Sequence, residues 1–253
     1  MRAILTYHSI DSSGSPLSVS PEAFRAHCDF LSSGRVQVLP LEALVRAPAT
    51  ADAVALTFDD GFANFATQAA PRLLDHELPV TMFVVTDHVG GRNNWAGRTV
   101  PGIPDLPLLT WTDLQRLAGQ GVEIGAHTRR HCDLTTLDAR RIADEVEGSV
   151  AVFEDRLGQR PHAFAYPYVA VNAAAAGAAR QICARACTTE LRALGTHDDP
   201  ALLPRLDMYY FRDPGQLESW GTASFRSRLW LRGQGRRLRG VLQGTSRRRG
   251  EAA

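Results

Sequence analysis

The chain contains no lysine; all 28 of its basic residues are arginine. That absence excludes Schiff-base chemistry at a lysine amine. Cysteine is also scarce. Cys28, Cys132, Cys183 and Cys187 form no CxxC pair and are too sparse for a disulfide scaffold, so reduced thiols are expected. No stretch approaches the roughly 18 to 20 apolar residues that a membrane-spanning helix needs. The opening MRAILTYHSID has one arginine and a short apolar run, too little for a secretory leader. The expected compartment is the cytoplasm.

With 253 residues, 44% of them hydrophobic, the chain suits one large α/β domain or two small ones. Charge is unevenly spread. Nine arginines (226, 228, 232, 236, 237, 239, 247, 248 and 249) fall between Ser219 and Gly250, where there is no acid. An acidic body thus carries a basic tail, which places a domain at 1–215 and an arginine-rich segment at 216–253.

Apolar runs and helical periodicities alternate along the body. Strands are expected at 3–6, 54–58, 80–85, 122–126, 163–166 and 186–189, and helices at 21–32, 64–76, 112–119, 138–157 and 173–184. Ser20 and Pro21 mark a helix start, and Ile142, Val146, Val150, Phe153 and Leu157 form one apolar stripe on the longest helix. This order implies βαβ units and a parallel sheet. The irregular stretch 90–108, rich in glycine and proline, suits a lid or binding loop.

Polar residues collect where the strands end. Asp59 and Asp60 end the run LTFDDGF, His8 follows the first strand, His127 follows VEIGA, and Tyr166-Pro167-Tyr168 closes the strand at 163. In a barrel of parallel strands all those ends open on one face. Two adjacent carboxylates repel unless a cation compensates them. His127 and His131 have a spacing that can bring two imidazoles to one metal, although HxxxH alone is weak and an aspartate after a strand often only caps a helix. One Asp and two His form a three-ligand set that leaves open positions, as a catalytic zinc or iron site requires.

TFDDG (57–61), HTRRH (127–131) and FAYPY (164–168), in this order, resemble the motifs of the polysaccharide deacetylases, carbohydrate esterase family 4, also called the NodB-homology domain. YHSI (7–10) and LPRLD (203–207) resemble the flanks of one subgroup, so the likeness spans about residues 1–211. The resemblance implies a distorted (β/α) barrel of roughly seven parallel strands. It implies removal of N-acetyl groups from an amino sugar in a polysaccharide, oligosaccharide or glycan precursor. Asp60, His127 and His131 are then the ligands of a divalent metal, zinc foremost, with nickel, cobalt or iron as alternatives. Asp59 is the general base, His8 the candidate acid, and the backbone N–H of Tyr168, fixed by Pro167, the oxyanion donor. Related readings are a deformylase, a deacetylase of a small glycoside or lipid-linked sugar, and a non-catalytic carbohydrate-binding barrel.

The chain also departs from the family pattern. Ala165 stands where many members carry an arginine that orients the base, and Arg205 is the candidate substitute, counted with Trp95, Pro167 and Tyr168 as substrate-facing. Val169 replaces the glycine usual after PY in the subgroup, and a DxxDW stretch is absent. Trp95 can stack on a sugar ring or pack on its own domain. The tail is read foremost as a disordered basic extension, because Gly233, Gly235 and Gly240 weaken a helix. The other reading is a helix at an anionic membrane surface, peripheral at the inner face. No reader motif supports nucleic acid.

Overall fold

The computed structural model describes residues 1–250 except Arg98, Val169 and Ala170, and the side chains of Ala96, Pro214 and 237–250 are likewise outside the description. The Val169 departure therefore lies outside the described residues. Strands β1 (Arg2–Tyr7), β5 (Ala53–Phe58) and β6 (Val80–Val84) are buried along their whole length. Such continuous apolar runs belong in a parallel sheet covered on both faces. With β4 (Gln37–Val38), β7 (Glu123–Ala126), β8 (Ala163–Ala165), β9 (Arg185–Cys187) and β10 (Leu206–Asp207) they form one sheet, ordered β10-β1-β5-β6-β7-β8-β9, with β4 also on β5. Every pair in it is parallel. The expected distorted barrel of about seven parallel strands is the architecture found. A minor pair, β2 (Ser9–Ile10) with β3 (Ser18–Val19), follows β1.

One segment draws the two edges of the curled sheet together. Leu203 bridges Cys187 of β9, and three residues later Leu206 pairs with Leu5 of β1. Arg205 lies between these contacts, and this placement sets its role in the site.

Parallel strands need crossovers, and the helices supplying them are capped as their sequences dictate. Helix α1 (Pro21–Ser32) starts at Ser20, whose side chain accepts the Ala23 N–H, and α2 (Leu41–Arg46) follows. Thr110 and Asp113 form a capping box on α4 (Trp111–Gly119). Helix α5 (Ala139–Leu157) runs from an Asp138 cap to Gly158, at φ 64°. Its stripe Ile142, Val146, Val150 and Phe153 is buried in the core, each side chain contributing on the order of 1.5–3 kcal/mol. Helix α6 (Ala173–Ile182) is capped by Asn172.

Two expectations need correction. The helix expected at 64–76 is a π-helical turn at Phe65–Ala69 followed by the short helix α3 (Ala70–Asp75). The helical run is continuous over 64–75, and Pro71 explains the widened turn, since it has no N–H and its ring crowds the preceding turn. The segment beyond 215, expected foremost as disordered, is a 3-10 turn (Pro214–Ser219) and a helix, α7 (Ala223–Gly250). Leu217, Phe225 and Leu229 are buried in the core, so packing extends past residue 215. Gly233 sits where a Cβ would come within 2.8 Å of the Leu191 carbonyl oxygen, so this glycine permits a close helix contact that outweighs its poor helix propensity.

Candidate metal and catalytic site

The DD pair is divided by backbone geometry. The Asp59 N–H still donates to the Tyr7 carbonyl at 2.9 Å, continuing the β1–β5 ladder. Asp60 and Gly61 then turn away in the left-handed region, at φ 71° and 77°. Aspartate tolerates that conformation better than most residues and glycine adopts it freely. The Leu109 N–H donates to the Gly61 carbonyl at 2.8 Å and secures the turn. The two carboxylates, both buried, consequently face different partners.

Asp59 meets Arg205. Nη1 and Nη2 of the guanidinium donate to Oδ1 and Oδ2, each at 2.7 Å. Arg205 is 1% exposed, and it also donates to Thr6 Oγ1 and to the Thr188 carbonyl. Burial alone would raise the Asp59 pKa, but Arg205, with smaller help from His127 and His8, brings it below the ordinary carboxylate value. Arg205 thus makes the fork to Asp59 that Ala165, lacking a guanidinium, cannot make. Its burial behind Asp59 corrects its assignment to the substrate-facing residues.

Asp60 meets the two histidines. Its Oδ1 lies 3.4 Å from His127 Nε2 and 3.2 Å from His131 Nε2. Buried Oδ1 has no hydrogen-bond partner, an arrangement costly for a carboxylate unless a cation completes it. One donor atom from each of the three residues lies within 4.8 Å of the others. The His127 Nδ1–H donates to the Ala165 carbonyl at 2.7 Å, which turns the Nε2 lone pair toward Asp60. Two imidazoles and a carboxylate oxygen, all with lone pairs converging on one point, fit a divalent cation. Burial would push the Asp60 carboxyl up, yet the adjoining imidazoles, His131 first, hold it well below the usual carboxylate range.

The ligand loop has its own supports. Thr128 and His131 are left-handed, at φ 63° and 59°, and the His131 N–H donates to Thr128 Oγ1. The backbone N–H groups of Arg129 and Arg130 both donate to Glu145 Oε2, at 3.0 and 2.9 Å. Glu145 was missed from sequence, although an acid on the buried stripe of α5 beside Ile142 and Val146 was a signal. Trp95 stacks on His131 with centroids 4.5 Å apart, and His88 meets its ring edge-on. One face of the indole is therefore committed to a candidate ligand. The stretch 90–108 holds Trp95 there through Asn93, which accepts from Leu106 N–H, and through an Arg92–Asp105 ion pair.

The remaining candidates lie beside this donor set. His8 Nε2 lies 3.8 Å from Asp59 Oδ2. Tyr168, at φ 61° and 47% exposed, places its hydroxyl 3.2 Å from His131 Nδ1, and Pro167 behind it is buried. Thr189 Oγ1 donates to the Tyr168 carbonyl at 2.9 Å and steadies that turn. The sequence candidates His8, Asp59, Asp60, His127, His131 and Tyr168 thus form one contiguous cluster. The four cysteines are unpaired, and none belongs to the converging donors.

Residues 46–186 match the model of the family described as polysaccharide deacetylase. A putative polysaccharide deacetylase of Bacillus subtilis, YxkH, is 29% identical over 170 residues, covering 65% of this chain and 55% of that protein. A chitin deacetylase of Pestalotiopsis is 27% identical over 142 residues, covering 56% of this chain and 42% of its own. The chain thus spans about half the length of these relatives. Among solved structures, Streptococcus pyogenes deacetylase PplD superposes with a TM-score of 0.68 at 24% identity, over 81% of this chain and 91% of that one. IcaB from Ammonifex degensii gives 0.67 at 22%, over 83% and 94%. At these identities the structural likeness concerns the fold.

Proposed function

The chain belongs to the polysaccharide deacetylase family, and from that premise we propose that it is a metal-dependent hydrolase removing N-acetyl groups from an amino sugar in a polysaccharide, oligosaccharide or glycan precursor. The observation that carries this reading is the pairing of two sites on one turn. Asp60 joins His127 and His131 in a donor set, while its neighbour Asp59 is held ionised by Arg205. An inert carbohydrate-binding barrel has no use for a base poised beside three ligands.

Asp60 Oδ1, His127 Nε2 and His131 Nε2 would hold the ion, and we take zinc as the occupant because this donor set suits it. A divalent cation there supplies positive charge that polarises an amide carbonyl and acidifies water. Asp59 accepts the proton from the attacking water, its carboxylate oriented by the Arg205 fork. The Tyr168 N–H, set by Pro167 and the left-handed turn, is assigned to the developing oxyanion. His8, beside Asp59, donates the proton that lets the amine depart. Trp95 and Tyr168 both pack against the His131 ring, and sugar contact falls to their remaining surfaces.

We also place the enzyme in the cytoplasm. Four unpaired cysteines, three of them buried, support that reading. The decisive experiment is acetate release from a panel of N-acetylated glycans, with and without a chelator. Release that stops on chelation and returns with zinc supports the proposal. Release unaffected by complete metal removal, or none from any N-acetylated sugar with metal bound, overturns it.

A further inference from the structure

Helix α7 presents an unusual outer face. Trp230 and Leu231, adjacent in sequence, are 63% and 62% exposed; the other exposed large hydrophobic side chains among the described residues are Val100 and Tyr168. Their exposure does not come from a loose helix. Phe225 and Leu229 are buried beneath it, and Phe225 packs against Phe211 and Trp220. Arg232 Nη1 donates to the Tyr210 carbonyl at 2.6 Å, and Gly233 closes on the Leu191 backbone. The inner face is thus fastened to the body, and the outer one carries a Trp–Leu pair into solvent.

The charge carried by the helix itself has one sign. Arg226 and Arg228 are exposed on the same helix, and no acid occurs from Ser219 to Gly250. Further along, the sequence continues with Leu238, Val241 and Leu242. Arginines recur beside them to residue 249. Among the described residues no helix is long and apolar enough to cross a membrane, so the apolar face suits a surface rather than a span.

We propose that α7 docks the protein on an anionic lipid bilayer, with Trp230 and Leu231 entering the interface and the flanking arginines meeting lipid phosphates. A bilayer answers all three features together: hydrocarbon for Leu231, the headgroup level for Trp230, and negative charge for the guanidinium groups. Nucleic acid answers the charge but offers nothing to Leu231. A second copy would set arginines against arginines with no acid between them. Binding to lipid is independent of the deacetylase reading and can fail while that reading stands.

The test is co-sedimentation of the full chain with vesicles of phosphatidylcholine alone and of phosphatidylcholine mixed with phosphatidylglycerol. The protein is expected to partition onto the anionic vesicles, remain free with the neutral ones, and be released by raised salt. Replacing Arg226→Gln and Arg228→Gln weakens partitioning by about five-fold per arginine. Trp230→Ser with Leu231→Ser weakens it while leaving the melting temperature unchanged, since both side chains face solvent. No partitioning, equal partitioning on both vesicles, or full binding by the Trp230/Leu231 variant overturns the proposal. A concentration-dependent dimer that the same variant abolishes, or capture of an RNA oligonucleotide without vesicle binding, overturns it in favour of that partner.

Discussion

Arg205 and Asp59, 146 positions apart, meet through two parallel N–H···O bonds of 2.7 Å. The geometry is the fork that matches a guanidinium to a carboxylate. It exists because the segment 203–207 bridges β9 to β1 and directs its central residue across the strand ends. The candidate base is therefore oriented by the same segment that draws the sheet edges together.

Arg205→Lys keeps a positive charge but not the fork. The Asp59 pKa, now lowered chiefly by Arg205 against its burial, rises when that partner weakens. A base must be ionised to work, so the acid limb of kcat/KM shifts to higher pH, and kcat falls by about ten-fold or more. Arg205→Met leaves a buried carboxylate uncompensated and costs about 3–5 kcal/mol of stability, visible as a lower melting temperature. An unchanged pH profile in the lysine variant would remove the orienting role.

Asp60→Ala and His131→Ala each delete one donor of the candidate set. Both are expected to lose stoichiometric zinc by elemental analysis after dialysis. Asp59→Asn is expected to retain it and to lose turnover, because Asp59 faces Arg205 rather than the histidines. Full metal content in both ligand variants, or an active asparagine variant, contradicts the division of labour between the two aspartates.

What could be read in advance divides along a physical line. Asp59, Asp60, His127 and His131 follow apolar runs, and parallel topology alone carries strand ends to one face, so local sequence sufficed. The cap at Ser20 was legible for the same reason. Arg205 could be named only as a candidate, since its position depends on a closure between residues far apart. Gly233 was misread because helix propensity ignores what a missing Cβ allows at a contact, and Pro71 signalled a widened turn that the apolar period of 64–76 concealed. Glu145 was overlooked because a carboxylate on a helix is ordinarily solvated.

Glu145→Gln tests whether the ligand loop is held from behind. The Glu145 carboxylate accepts the N–H groups of Arg129 and Arg130, and the loop pays for two left-handed residues of roughly 1–3 kcal/mol each. Glutamine preserves the shape and one acceptor, whereas alanine removes both bonds. Zinc affinity by competition titration is expected to fall about 10-fold or more in Glu145→Ala and less in Glu145→Gln. Equal affinity in the wild type and the alanine variant makes Glu145 merely a packing residue.

His27 sets a separate acid limit, one of stability. The buried ring is satisfied only when neutral: Tyr7 Oη lies 3.2 Å from Nδ1 and donates to it, and Nε2–H donates to the Phe211 carbonyl at 2.9 Å. Burial lowers its pKa to about 4, against 6.5 for a free imidazole. The unfolded chain therefore binds a proton that the folded one refuses between these values, and stability must fall as pH drops through that window. The stabilisation is complete above about 6.5, and its loss by pH ~4 is on the order of 3 kcal/mol. His27→Gln cannot titrate, so its stability, lower at neutral pH, should show a flatter decline over the same range. Urea unfolding at a series of pH values measures both curves, and parallel declines would mean that another group carries the acid sensitivity.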